Sequence, residues 1–201
     1  MAKLVLVRHG ESTWNAKGIW TGLTDVGLTE KGKKEAQIAG KAIKGINFQI
    51  AFVSVLKRAK ETLEEIEKIL GVKLPAIENA ALNERDYGDY TGKNKWQVRQ
   101  EIGEEEFLKL RRSWDYPVPN GESLKQVYER TVPYYQEHIL PELQKGKNVL
   151  VSAHGNSLRA LVKFLDNLSD EDVAKLEIPT GQVLVYEISP DGKILSKEIR
   201  E

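Results

Sequence analysis

Two short runs rich in valine and leucine, Lys3–Val7 and Asn148–Ser152, each lead into a histidine followed by glycine. The first continues as Arg8-His9-Gly10-Glu11-Ser12 and the second as Ala153-His154-Gly155-Asn156-Ser157. Apolar side chains at successive positions leave neither face of a strand for water, the pattern of buried parallel strands in an α/β sheet. Open α/β sheets bind ligands beyond the carboxyl ends of their strands. A polar switch at that point on two strands predicts a sheet whose carboxyl edge carries both imidazoles.

The intervening sequence supplies the connecting elements. Thr29–Lys44 reads as a helix with Thr29 as N-cap and Gly32, Ala36, Ala39 and Gly40 on its packing face. A strand near Ile50–Ser54 and a helix over Lys57–Leu70, stopped by Gly71, follow. Ser123–Gln144 has the period of a long helix kinked at Pro133 and Pro141. Leu158, Leu161, Val162 and Leu165 mark a further amphipathic helix, Ser169 with Asp172 caps a short one, and Val183–Ile188 with Lys193–Ser196 form a terminal strand and an edge addition. Such alternation predicts an α/β fold, a three-layer α/β/α sandwich around a mostly parallel central sheet. The 201 residues fit one domain, 1–201. Within it, residues 79–120 are less regular, with helical pieces over Trp96–Ile102 and Glu104–Arg112, and read as an insertion across one end of the sheet. Arg8–Leu28, carrying Gly10, Gly18, Gly22 and Gly27, is predicted as an irregular functional loop.

Thirty Lys and Arg balance thirty Asp and Glu, so no global field gathers nucleic acid or an anionic membrane, and anion specificity has to come from local clustering. Trp14, Trp20, Trp96 and Trp114 read as packing supports, because no basic stripe accompanies them as a base-stacking platform requires. The chain has no cysteine, which removes disulfides, thiolate zinc sites and a cysteine nucleophile and suits a cytoplasmic protein. No apolar run approaches the roughly 18 residues of a spanning helix, and Lys3–Val7 is too short for the apolar part of a signal peptide.

Arginines gather near the two histidines in the sequence pattern: Arg8 beside His9, Arg58 after a third strand end, and Arg111-Arg112 in the inserted segment. Guanidinium forks match phosphate and carboxylate oxygens at two points. They also disfavour imidazolium by like-charge repulsion, holding a histidine neutral and nucleophilic, as a phosphoryl acceptor must be. Gly10 would let the backbone approach the bound oxygens, with Asn15, Thr21, the Gly22 amide and Asn156 as neutral donors completing the cradle. Glu84, between Ala80-Ala81 and Tyr87, is the best general acid/base candidate. A metal needs a third ligand; His138 lies in the long helix and no local carboxylate spacing completes a site, so no metal is expected.

Leu6-Val7-Arg8-His9-Gly10-Glu11-Ser12-Thr13-Trp14-Asn15 resembles the signature of the histidine phosphatase superfamily, and in particular its cofactor-dependent phosphoglycerate mutase branch. Further segments of that branch appear in its order. They are Thr21-Gly22-Leu23-Thr24-Asp25-Val26, Arg58-Ala59, Leu82-Asn83-Glu84-Arg85-Asp86-Tyr87-Gly88, Thr91-Gly92-Lys93-Asn94-Lys95, Arg111-Arg112-Ser113, Gly121-Glu122-Ser123-Leu124, Ala153-His154-Gly155-Asn156-Ser157-Leu158-Arg159-Ala160 and Ile178-Pro179-Thr180-Gly181. The resemblance implies that fold and a nucleophilic His9 that cycles through phosphohistidine, primed by 2,3-bisphosphoglycerate, moving phosphoryl groups between the 2- and 3-hydroxyls of glycerate without a metal. It implies that Arg8, Arg58 and His154 bind the transferring phosphoryl group and that Glu84 exchanges protons with the substrate hydroxyl. Asn15, Thr21, Gly22, Tyr87, Lys95, Arg111, Arg112 and Asn156 would hold the glycerate carboxylate and the other phosphate. The implied partners are small phosphoglycerates, in the cytoplasm; a homo-oligomer is compatible and no state is assigned.

The chain also departs from the branch. Only eight residues separate Arg112 from Gly121, where longer members carry an extra segment, and the sequence stops at Glu201 soon after its last predicted strand. Less covering material predicts faster hydrolysis of a phosphohistidine, hence a mutase with phosphatase side activity. Two other readings stay open at this stage: a broad phosphomonoester phosphatase using the same His9 intermediate, and a non-catalytic sensor of a phosphorylated ligand.

Overall fold

The alternating burial of successive strand residues splits the apolar side chains between two faces of one sheet. In the computed structural model, which describes residues 1–200, the strands are β1 (Ala2–Arg8), β2 (Ile50–Val53), β3 (Ala76–Glu78), β4 (Val149–Ala153), β5 (Val183–Ile188) and β6 (Ile194–Arg200). They lie in the order β3-β2-β4-β1-β5-β6, with β3, β2, β4 and β1 mutually parallel and β5 and β6 antiparallel additions. Leu4, Leu6, Phe52, Val149 and Val151 enter one core; Val5, Val7, Ala51, Val53 and Leu150 enter the other.

Each core is closed by helices, which gives the expected three layers. On the Val5 side lie α2 (Glu30–Ala42) and α3 (Lys57–Leu70), through Ala39, Ile43, Ala59, Leu63 and Ile66. Thr29 caps α2 by accepting from the Gly32 amide at 3.0 Å, and Gly32, Ala36, Ala39 and Gly40 are its buried positions. Gly71 ends α3 in the left-handed conformation that glycine adopts without Cβ strain. On the Leu4 side lie α6 (Leu124–Tyr134), α7 (Leu140–Gln144) and α8 (Gly155–Leu165). Residues 123–144 do not form one kinked helix. Pro133, lacking an N–H, weakens the ladder near the end of α6, a π-helical turn over Tyr135–Ile139 follows, and Pro141 sits in the first turn of α7.

Three further elements depart from the sequence expectation. The Arg8–Leu28 loop contains one helical turn, α1 (Thr13–Ala16), because Ser12 and Asn15 cap it reciprocally. β3 is an exposed three-residue strand whose short length gave no periodic signal. β6 extends to Arg200 beyond the expected Ser196, and the final residue, Glu201, lies outside the described residues. Between β3 and α6 the chain forms α4 (Lys95–Ile102) and α5 (Glu104–Arg112), which pack around Trp20, Val98, Phe107, Leu110 and Val118. The short α9 (Asp170–Lys175) is capped by Ser169, whose Oγ accepts from the Asp172 amide. Among the described residues no helix is long and apolar enough to cross a membrane.

Candidate active site

Strand register fixes the reaction centre. Arg8 pairs with Ala153 across β1 and β4, and Val53 pairs with Ser152 across β2 and β4, so His9, His154 and Ser54 stand side by side just past three adjacent strand ends. The two imidazole centroids are 4.9 Å apart, the rings inclined at 61°. His9 Nδ1 lies 2.7 Å from the Gly10 carbonyl oxygen. That oxygen only accepts, so Nδ1 carries the proton and Nε2 keeps its lone pair. His154 Nε2 lies 2.7 Å from Ser54 Oγ, which in turn donates to Asn83 Oδ1 at 2.8 Å. This chain places the His154 proton on Nε2 and leaves Nδ1 buried without a protein partner.

Both histidines are held neutral, their pKa values pushed well below the ordinary imidazole range. The leading cause is burial, with the Arg58 and Arg8 charges adding to it, so the guanidinium repulsion anticipated from the sequence is the secondary contribution. Arg58 is anchored by its Nη groups to the Gly22 and Thr24 carbonyls at 2.9 and 3.0 Å. Arg8 donates to the Ile178 carbonyl at 2.5 Å, while its buried Nε has no protein partner. Gly10 serves a different purpose from the one expected. Its amide donates to Thr62 Oγ at 3.1 Å, and a Cβ there would come within 2.1 Å of the Gly32 carbonyl oxygen, so it lets α2 approach rather than admitting a ligand.

Two adjoining cavities open at this end of the sheet. The inner one, about 50 Å³, is lined by Arg8, His9, Asn15, Trp20, Thr21, Gly22, Arg58, Glu84, Tyr87 and Lys95. The outer one, about 230 Å³, shares five of these and adds Arg111, Arg112, Gly155, Asn156, Arg159, Glu177, Ile178 and Pro179. Every candidate catalytic or binding residue named in the sequence reaches one cavity or the other except Gly10 and His154, which line neither. Asn156 is engaged in holding other groups: its amide and side chain donate to Glu84 Oε1 at 3.1 and 3.0 Å, and the side chain also donates to Tyr87 Oη at 2.9 Å. With the Arg85 amide adding a third donor, these hydrogen bonds to the Glu84 carboxylate all fall on Oε1. Lys95 stands over the Trp20 ring at 5.3 Å, and burial, then Arg111 and Arg8, lower its pKa to about 8. Arg112 pairs with the Glu177 carboxylate.

Several supporting residues were given no role in the sequence, Asn83 and Arg159 although they lie within the quoted motifs, Ser54 and Arg130 because they lie outside them. Ser54 and Asn83 orient His154. Arg130 donates to the carbonyls of Ala81, Asn83 and Glu84 while paired with Glu122, clamping the Glu84 segment to α6. Arg159 donates to Asn156 Oδ1 and to the carbonyls of Arg112 and Val173, tying the end of α5 to α8 and α9. Of the tryptophans, Trp20 is buried in the cavity wall, whereas Trp96 is 58% exposed and supports no core. Ser54 was within reach, since it too follows directly on a buried strand.

His9, Glu84 and His154 offer donor atoms all within 4.8 Å of one another, a third ligand that local spacing does not reveal. The buried Arg8 and Arg58 beside them oppose a dication and favour an anion. A phosphoryl group fits the guanidinium donors: buried Arg8 Nε is unpartnered near the His9 Nε2 lone pair, while His154 Nδ1, without a proton, is not a donor to it.

A family profile described as "Histidine phosphatase superfamily (branch 1)" matches residues 4–198. The chain belongs to that family. Among its relatives, a 2,3-bisphosphoglycerate-dependent phosphoglycerate mutase of Chelativorans sp. (strain BNC1) is 53% identical, the match covering 98% of each chain. The mutase of the same name from Parvibaculum lavamentivorans is 52% identical over 98% of this chain and 95% of its own. Among solved structures, Bacillus stearothermophilus YhfR superposes with a TM-score of 0.85 at 26% identity, covering 96% of this chain and 94% of that one. The alpha-ribazole phosphatase from Shigella flexneri gives 0.81 at 25% identity, with the same coverage.

Proposed function

We propose that the chain interconverts 3-phosphoglycerate and 2-phosphoglycerate through a phosphohistidine at His9, primed by 2,3-bisphosphoglycerate, in cytoplasmic glycolysis and gluconeogenesis. The observation that carries this reading is the pairing of cavities: a small inner one at the nucleophile and a larger outer one lined by Lys95, Arg111 and Arg112. A phosphatase needs only the first; a mutase must hold the rest of a substrate that carries a second anionic group while its phosphoryl group moves. The relatives that share half of its residues support the same choice.

In this reading His9 Nε2 donates its lone pair to phosphorus as the P–O bond opposite it breaks, and Arg8 and Arg58 meet the charge on the equatorial oxygens, whereas neutral His154, its one proton given to Ser54, packs against the His9 ring. Protonated Glu84 gives its proton to the departing oxygen, yielding a free hydroxyl and the phosphorylated imidazole. In the return step a glycerate hydroxyl gives its proton to Glu84 as its oxygen attacks, restoring neutral His9. The bisphosphate supplies the first phosphoryl group. Asn156 and Tyr87 keep Glu84 aimed throughout, and Lys95, Arg111 and Arg112 hold the carboxylate and the second phosphate. The outer cavity reaches solvent past the exposed Glu177, so some phosphohistidine should pass to water as phosphatase side activity.

The test is a 3-phosphoglycerate assay with and without 2,3-bisphosphoglycerate, following 2-phosphoglycerate and free phosphate together. Stimulation by the bisphosphate with minor phosphate release is expected. Phosphate without 2-phosphoglycerate would replace the mutase with a phosphatase, and silence in both would leave a sensor.

A further inference from the structure

A pocket built to select anions should not waste a guanidinium on its own carboxylate, yet this one does. Arg112, at the end of α5, donates through Nη2 to the Glu177 carboxylate and through Nη1 to the Leu176 carbonyl at 3.4 Å. One residue further along, the Ile178 carbonyl accepts from Arg8. The segment Leu176–Ile178 is thus slung between two of the arginines that face the cavities, with the Glu177 side chain on the outer wall and 67% exposed. An exposed ion pair is weak and quickly exchanged. A carboxylate or phosphate delivered to the same fork by a bound substrate, fixed at its other end in the inner cavity, displaces it at little cost.

We infer that Glu177 is an internal stand-in for the substrate's carboxylate, occupying Arg112 in the unliganded site and yielding it on binding. It thereby sets the affinity for substrates that carry a second anionic group. The inference rests on the phosphoglycerate reading and deepens it. Its chemistry makes a selective prediction: a ligand with a phosphoryl group alone fills the inner cavity without contesting Arg112, so Glu177 is silent toward it. A general electrostatic effect of one negative charge near the site would instead touch every anion and would not depend on Arg112.

The experiment compares the wild-type chain with Glu177→Gln, which keeps shape and removes charge, in calorimetric binding of 3-phosphoglycerate and in steady-state kinetics. Glu177→Gln is expected to lower both Kd and KM for 3-phosphoglycerate about three- to fivefold, the range a weak exposed pair allows, with kcat within about twofold. KM for p-nitrophenyl phosphate should stay within about twofold. In an Arg112→Gln background the same Glu177 change should have no effect. Unchanged or weakened binding of 3-phosphoglycerate overturns the inference, as does an equal gain for the aryl phosphate or a gain that persists without Arg112. If the wild-type chain forms 2-phosphoglycerate and Glu177→Gln binds no tighter, only this inference falls. If neither protein binds 3-phosphoglycerate, the phosphoglycerate reading falls with it.

Discussion

Lys95 is the residue whose charge is most easily changed within the working pH range. Its pKa of about 8 follows from burial among Arg111 and Arg8, only partly offset by Glu84. As pH rises through 8 the neutral form gains ground and one cation leaves the site, while a substrate phosphate is already fully ionised. KM for 3-phosphoglycerate should therefore climb between pH 7 and 9, and Lys95→Gln should flatten that climb from a higher starting value; an equal slope in both proteins would remove Lys95 from anion binding. His9 and His154 stay neutral over this range, their protonation being pushed well below it. At this scale the sequence revealed the reacting types but not their states. That His9 presents Nε2 depends on the Gly10 carbonyl, and that His154 lacks a partner on Nδ1 depends on Ser54 and Asn83, which come from two other segments.

Helix α2 meets the loop after β1 backbone to backbone. A Cβ on Gly32 would lie 2.1 Å from the Glu11 carbonyl oxygen, and one on Gly10 would lie 2.1 Å from the Gly32 carbonyl oxygen. Gly32→Ala gains up to about 1 kcal/mol of helix propensity. Overpacking against backbone that cannot rotate away costs about 1–3 kcal/mol or more, so the clash wins. Gly32→Ala is expected to lower Tm by roughly 2–10 °C and to reduce kcat, because the displaced backbone adjoins His9. A variant with wild-type melting and turnover would show that the two segments separate freely. The elements legible in the sequence were those with enough length for a period: α2, α3 and the parallel strands β1, β2 and β4. The one-turn α1, the three-residue β3 and the π-helical turn were not, since capping and a proline's lost hydrogen bond decide them over only a few residues.

Across the molecule, charge balance hides a local excess. The two cavities gather Arg8, Arg58, Lys95, Arg111, Arg112 and Arg159 against Glu84 and Glu177, in a chain whose formal net charge is zero. Buried like charges oppose folding until an anion joins them. Ligand at about 100 times its Kd adds about 2.7 kcal/mol of stability, which for a chain of this size raises Tm by roughly 5–10 °C. Saturating 2,3-bisphosphoglycerate should produce that rise in differential scanning calorimetry, and sodium chloride of equal ionic strength should not. An identical response to both would mean that screening, not occupancy, is responsible. The gathering itself could be anticipated from motifs such as Arg8-His9-Gly10 and Arg111-Arg112. The division into two cavities could not, because it depends on Trp20 and on where α5 comes to rest.

The two imidazoles sit at the ends of neighbouring parallel strands, spaced by the β1–β4 ladder. In the proposed function the groups that hold the rest of the ligand, Lys95, Arg111 and Arg112, arrive from α4 and α5. Transfer chemistry and molecular discrimination are thus separable parts. Exchanging α4 and α5 for differently furnished helices, with Glu84 and Tyr87 kept, would redirect the catalyst to another phosphate ester and leave the engine untouched.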